Sequence, residues 1–167
     1  VSAGARRLAS SGDLAVGSIS GSLGLTSSDG GDMALSVQGD RLTIAADAQV
    51  RAVQDGHITL SVDNLANTSV LAIEGQVHAE QGGMNLAADE SVNLLAVGST
   101  PLTMTDRVRS LGDVVVTAGK GLRIVNAAGA DAAGTFGRSD SPGVIRIEGN
   151  QTIAANQRLA LQISGED

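Results

Sequence analysis

The chain has 167 residues and a formal net charge of −7, with 22 glycines, one phenylalanine and no tryptophan, tyrosine or cysteine. Without cysteine there is no disulfide framework and no thiolate metal site, and no run of about 18 apolar residues is present that could insert into a membrane. The net negative charge argues against a nucleic-acid partner, because proteins bind the phosphate backbone through a basic surface patch. A hydrophobic content of 42% is too high for a disordered chain, so a fold without an aromatic core is expected.

Short runs of alternating apolar residues repeat along the chain, and the first run of each unit follows a glycine. These glycines are Gly12, Gly31, Gly56, Gly83, Gly112 and Gly143. Two further runs follow the first, as at 41–45 and 48–53, or at 69–73 and 76–79; later ones are 91–95, 121–125, 151–154 and 158–163. Alternation over four to six residues rich in Val, Ile and Thr predicts strands, and the glycines between runs predict turns with left-handed backbone angles. Three short strands in each unit of about 27 residues predict an all-β chain, a parallel β-helix (solenoid) of about six coils.

Equivalent strands of a β-helix pair one coil apart, so their inward side chains stack into ladders. One ladder is predicted to run from Met33 to Val144 or Ile145, and the next from Leu35 through Leu60 to Ile147, with Thr59 pointing outward. The predicted aliphatic core consists of Leu14, Val16, Met33, Leu35, Val37, Leu42, Ile44, Ile58, Leu60, Met84, Leu86, Val114, Val116, Leu122, Ile124, Ile147, Leu159 and Leu161.

The pattern Gly-Asp-Leu-x-Val at 12–16, apolar alternation, and then Gly-Asp-x-Leu-x-Ile at 39–44 resembles the repeats of filamentous-haemagglutinin-type exoproteins. Similar repeats occur in other very large bacterial surface proteins, and the resemblance extends from Gly12 to Ile163. It implies a right-handed parallel β-helix that is secreted or held at the bacterial cell surface, as the stalk of an adhesin or of a toxin-delivery protein. Residues 164–167 read like the start of another unit, which predicts that residues 1–167 are one β-helical segment of a longer repeat protein.

Few residues suggest a catalytic or metal-binding site, and no catalytic group or enzymatic activity is predicted. His57 and His78 take outward strand positions without metal-ligand spacing, which favours solvated side chains over half of a metal site. Asp29, Asp32 and Asp40 could contribute oxygens to calcium, but aspartate beside glycine is common in turns and no nonapeptide repeat is present. We therefore expect no cofactor, with calcium as the alternative.

Two surface features leave binding functions open. Outward arginines could form a ladder for an anionic glycan, although the net charge of −7 favours arginines interspersed with acids; they are Arg41, Arg51, Arg123, Arg146 and Arg158. The loop at 127–142 contains the candidate binding residues Phe136 and Arg138, or is a tolerated surface loop.

A structural stalk or fibre segment is the expected function, with adjacent repeats of the same protein as its partners. The alternatives are a module that binds a host or cell-surface receptor or glycan through a solenoid face or the 127–142 loop, and a filament subunit that joins copies of itself end to end.

Overall fold

The computed structural model describes residues 6–19, 22–97, 102–110, 112–132, 134–135 and 151–155, which form successive turns of short strands. The first turn contains β1 (Arg6–Ser10), β2 (Leu14–Val16), β3 (Ser18–Ile19) and β4 (Ser22–Ser27). The second contains β5 (Met33–Gln38), β6 (Arg41–Ile44) and β7 (Gln49–Ala52), and the third β8 (Ile58–Asp63), β9 (Val70–Ile73) and β10 (Gln76–Ala79). The fourth contains β11 (Met84–Ala88), β12 (Ser91–Leu95), β13 (Leu102–Thr103), a 3-10 turn at Met104–Asp106, and β14 (Val108–Ser110). After it come β15 (Val114–Ala118), β16 (Leu122–Val125), β17 (Gly134–Thr135) and β18 (Gln151–Ala155).

The strands stack into three parallel sheets, and each complete turn contributes one strand to every sheet. The first sheet has the order β1-β5-β8-β11-β15-β18, the second β2-β6-β9-β12-β16, and the third β4-β7-β10-β14 with β3 antiparallel at its edge. The all-β parallel solenoid with three strands per coil is therefore confirmed. The described residues form four complete turns rather than about six, because β15 and β16 lack a third-sheet partner and β17 pairs with β13 instead. The described part of the chain contains no helix with the length and apolar character that a membrane span requires.

Alternation places every second side chain of a strand inside the solenoid. In the first sheet Met33 pairs with Ile58, which pairs with Met84, and all three are at most 3% exposed. The neighbouring inward ladder consists of Leu35, Leu60, Leu86 and Val116, which are at most 1% exposed.

The continuation of these ladders beyond β15 differs from the prediction. Val114 pairs with Gln151, and Val116 pairs with Ile153, so β18 takes the place expected for Val144 or Ile145 and for Ile147. The step from Val114 to Gln151 spans 37 residues, whereas the earlier steps in this sheet span 25 to 30. Alternation identifies a strand but cannot show which of two successive alternating runs stacks on the preceding turn.

The predicted core residues that fall within the described part of the chain lie inside the solenoid, except that Leu14 is only partly buried against the core. Ile147, Leu159 and Leu161 lie outside the described residues. The second and third sheets supply further buried aliphatic side chains that the predicted core omits; these include Val50, Leu71, Ile73, Val77, Val92 and Leu94.

The repeated glycines stack at the corner between the third and first sheets. A Cβ on Gly56 would lie 2.7 Å from the carbonyl oxygen of Gly31, one on Gly82 would lie 2.3 Å from that of Gly56, and one on Gly112 would lie 2.7 Å from the carbonyl carbon of Gly82. The expectation of left-handed angles is wrong for these corner glycines, since none has a positive φ, but it is confirmed for Gly30 and for Gly121 in the turns between runs. Successive turns thus approach too closely at this corner for any side chain, and Gly82, not Gly83, occupies the fourth-turn position.

Replacing Leu60 by Asp should cost about 4 kcal/mol or more of unfolding free energy, because it places a carboxylate among buried aliphatic side chains. Leu60 is fully buried, whereas the adjacent Thr59 is only half-buried and points away from the core. The matched change Thr59→Asp should therefore alter stability by no more than about 1 kcal/mol. Denaturant unfolding followed by circular dichroism measures both, and equal losses would show that the register is wrong.

Replacing Gly82 by Ala should lower the unfolding free energy by about 1–3 kcal/mol, because the new methyl group would overlap the backbone of the preceding turn. Gly12 provides the control, since a Cβ there meets no atom within 4 Å. Gly12→Ala should change stability by about 0.5 kcal/mol or less. A Gly82→Ala protein as stable as the parent would contradict close stacking at this corner.

Candidate functional site

The outward face of the third sheet carries a column of basic side chains, one from each of three successive turns. Thr26 of β4 pairs with Arg51 of β7, which pairs with His78 of β10, which pairs with Arg109 of β14. The residues that precede the three basic ones in their strands are valines exposed by at most 1%, so alternation turns the basic side chains outward. Arg109 is exposed, and Arg51 and His78 are half-buried.

The carboxylate of Glu80, which directly follows β10, holds Arg51 in place. The Nη2 of Arg51 donates a hydrogen bond to Oε1 of Glu80, and the other carboxylate oxygen of Glu80 accepts from the backbone N–H of Gln54 at 3.4 Å. The hydrogen bond from Arg51, and next the one from Gln54, lower the pKa of Glu80. Glu80 therefore remains ionised at neutral pH and fixes one side of the guanidinium.

His78 lies between two guanidinium groups in this column. Burial is the main cause of its lowered pKa, followed by the positive charges of Arg109 and Arg51, and the charge of Glu80 opposes these effects only in part. The imidazole is consequently neutral at pH 7, and its protonation would create three adjacent positive charges. An anion placed over the column would favour that protonation.

The rest of this face is polar. The Nε2 of Gln49 donates a hydrogen bond to Oε1 of Gln76 across the two middle turns, at 3.1 Å. Arg107, directly before β14, donates from Nε and Nη2 to the carbonyl oxygen of Leu95 at 3.3 and 3.2 Å. The guanidinium of Arg107 is thereby tied to the backbone, which leaves Arg109 as the exposed basic group of β14.

The arginines singled out in the sequence do not form one ladder. Arg41 and Arg123 lie on the second sheet, and Arg51 lies on the third. Arg41 is 4.0 Å from Glu74, and Arg123 donates to Asp131 at 2.7 and 3.0 Å, so both have acidic neighbours, as the interspersed-charge interpretation expects. Arg146 and Arg158 lie outside the described residues.

Arg109 escaped the sequence analysis because its strand, Val108–Ser110, has only three residues, too few to show alternation. No described acid forms a salt bridge with Arg109. Of the two guanidinium groups in the basic column, that of Arg51 is paired with Glu80 and that of Arg109 is not paired with a described acid.

The candidate calcium ligands are not brought together. Asp29 and Asp32 lie between β4 and β5, and Asp40 lies between β5 and β6. Asp29 accepts from the hydroxyl of Ser27 at 3.4 Å, Asp32 from the backbone N–H of His57 at 3.0 Å, and Asp40 from the Nδ2 of Asn64 at 2.8 Å. Within the described part of the chain no three His, Asp or Glu side chains are grouped as metal ligands would be.

The two histidines also lie apart, since His57 precedes the first-sheet strand β8 and His78 lies in the third sheet. The Nδ1 of His57 lies 3.7 Å from Asp32. The candidate binding residues Phe136 and Arg138 of the 127–142 loop lie outside the described residues.

Comparison of the chain with protein-family models, with curated proteins and with solved structures gave no match. The likeness to filamentous-haemagglutinin-type repeats therefore rests on the repeat pattern and on the parallel solenoid.

The lowered pKa of His78 predicts a pH-dependent stability. The folded state binds a proton at His78 less readily than the unfolded state, whose pKa is 6.5, so unfolding free energy should fall as the pH drops through 6.5 towards the lower folded value. Above that window His78 should contribute no pH dependence. Urea unfolding at a series of pH values should show a shallower decline in a His78→Gln protein than in the parent. Parallel pH profiles for the two proteins would contradict the lowered pKa of His78.

Proposed function

We propose that this chain is a structural segment of a stalk or fibre in a large bacterial protein that is secreted or displayed at the cell surface. Its partners in this proposal are adjacent repeats of the same protein, and it performs no enzymatic reaction. The location and the kind of parent protein come from the resemblance to filamentous-haemagglutinin-type repeats. The observation that supports a mechanical role is the continuity of the three parallel sheets from turn to turn.

Continuity along the axis gives such a segment its stiffness. The four complete turns are joined to one another by backbone hydrogen bonds in three sheets, and one cluster of buried aliphatic side chains passes through them. Solenoids of this kind depend on contacts between neighbouring repeats, so their length grows with the number of turns while each interface remains the same. A spacer needs this property.

Acidic side chains strengthen the joints between turns at the corners. The carboxylate of Asp13 accepts hydrogen bonds from the backbone N–H groups of Asp40 and Arg41 in the next turn, at 2.7 and 2.9 Å. Asp89 accepts from the backbone N–H of Asn64 in the preceding turn at 2.7 Å. Backbone N–H groups at the corners have no partner within a sheet, and these carboxylates accept their hydrogen bonds. Each such bond also joins two successive turns along the solenoid axis.

Lengthening the solenoid by whole turns should lengthen the rod. Residues 33–57 form one turn, since Met33 pairs with Ile58, and three extra copies inserted after residue 57 would each stack on an identical turn. Small-angle scattering should show the maximum dimension increased by about 14 Å, from about 4.8 Å for each added turn. Thermal unfolding should occur at the same temperature or a higher one.

The control is a glycine-serine insertion of equal length at the same site, which adds residues without adding ladders and should lower the melting temperature. Between an outer-membrane anchor and an epitope tag, the lengthened solenoid should make the tag more accessible to antibody than the control does. Equal accessibility would contradict a spacer function. Growth of the sedimentation coefficient with protein concentration would favour the self-assembling filament instead.

A further inference from the structure

We propose that the outward face of the third sheet binds a linear acidic polysaccharide, with Arg51, His78 and Arg109 contacting its anionic groups. This function is separate from the spacer role, since it depends on one face and not on axial continuity. In an otherwise acidic chain, these three side chains form a basic column on three neighbouring strands.

The three basic side chains follow one another along the solenoid axis, an arrangement that suits an extended ligand. Neighbouring strands lie about 4.8 Å apart, so Arg51 and Arg109, which are two strands apart, are separated by roughly 9.6 Å at the backbone. A polymer lying along the solenoid axis would meet both guanidinium groups and pass over His78 between them.

The guanidinium group provides the anion chemistry. Its planar fork of N–H donors matches carboxylate and sulfate oxygens and remains charged at any physiological pH. Arg109 is exposed and forms no salt bridge with a described acid. Glu80 holds Arg51 from the corner side and pre-orients its guanidinium.

The same face argues against other polymers. DNA carries one negative charge for about every 1.7 Å of its axis, which two arginines roughly 9.6 Å apart would leave mostly unneutralised beside a chain of net charge −7. A protein partner would require apolar anchors, and the outward side chains of β7 and β10 are all polar, namely Gln49, Arg51, Gln76 and His78. A polysaccharide with one charge for each sugar or pair of sugars matches the sparse charges of the column.

His78 makes this binding depend on pH. The charged groups that face it are Arg51 on β7, Arg109 on β14 and Glu80 at the end of its own strand region. A bound anion would offset the repulsion from the two arginines and favour the imidazolium, so protonation and binding promote each other. Affinity should therefore rise as the pH falls below neutrality.

The test measures binding of the full chain to immobilised polysaccharides at low ionic strength, at about pH 8 and about pH 5.5. Polygalacturonate presents carboxylates and a lightly sulfated dextran, with no more than one sulfate for each sugar, presents sulfates, so the two probes distinguish the anionic group, and uncharged dextran is the control ligand. We expect binding to at least one charged polymer, tighter at the lower pH, and none to dextran. Arg109→Gln should weaken binding roughly three- to fivefold, the size expected for loss of one exposed ion pair.

Arg41→Gln is the matched control variant, since it removes the same charge from the second sheet and should leave affinity unchanged. His78→Gln should retain binding but reduce its dependence on pH. Equal losses from Arg41→Gln and Arg109→Gln would overturn the proposal, because they would indicate attraction to the whole chain instead of to this face. It would also be overturned by the absence of binding to either charged polymer, or by equal binding to single-stranded DNA.

Discussion

Pairing of each strand with its equivalent one turn away is the interaction on which this structure depends. A parallel strand pair joins residues far apart in the chain, so every turn must return to the same register before its hydrogen bonds form. Here the return takes 25 residues from Met33 to Ile58 and 30 from Met84 to Val114. Register is preserved because the corners absorb the extra residues while the inward positions of the strands remain aligned.

The corners absorb this variation in two ways. Where successive turns lie closest, stacked glycines such as Gly56 and Gly82 leave no room for a side chain. Where a corner between two strands is longer, polar side chains organise the added residues. The segment between β8 and β9 is stabilised by Asn64, whose Oδ1 accepts from the backbone N–H of Thr68 at 3.0 Å, and by Ser69, whose hydroxyl donates to the carbonyl oxygen of Val62 at 2.8 Å. Leu65 is consequently fully exposed at the surface without disturbing the ladders on either side.

Local pattern predicted most of the fold but little of the site. Alternation identifies the inward position of Leu60 because the periodicity of a strand is a property of neighbouring residues. The juxtaposition of Arg51, His78 and Arg109 depends on register between turns of unequal length, and no spacing in the sequence specifies it. The same limit explains the error at β18, since residues 143–148 alternate as well as residues 151–155 do and only pairing distinguishes them. Turn composition correctly predicts the left-handed angles of Gly30 and Gly121, but not the stacked glycines such as Gly82, because close approach between turns leaves no local signature.

The inward and the outward side chains of this solenoid are therefore under different constraints. Inward residues such as Leu35 are restricted to aliphatic side chains by their neighbours above and below, so the interior repeats. Outward residues meet only solvent and their lateral neighbours, and the column that reads Thr26, Arg51, His78 and Arg109 can differ at each turn with no cost to the ladders. A chain built in this way can retain the stiffness of a rod while one face acquires binding chemistry. Because the strand spacing sets the separation of the outward side chains, that chemistry suits a ligand that is extended along the same axis.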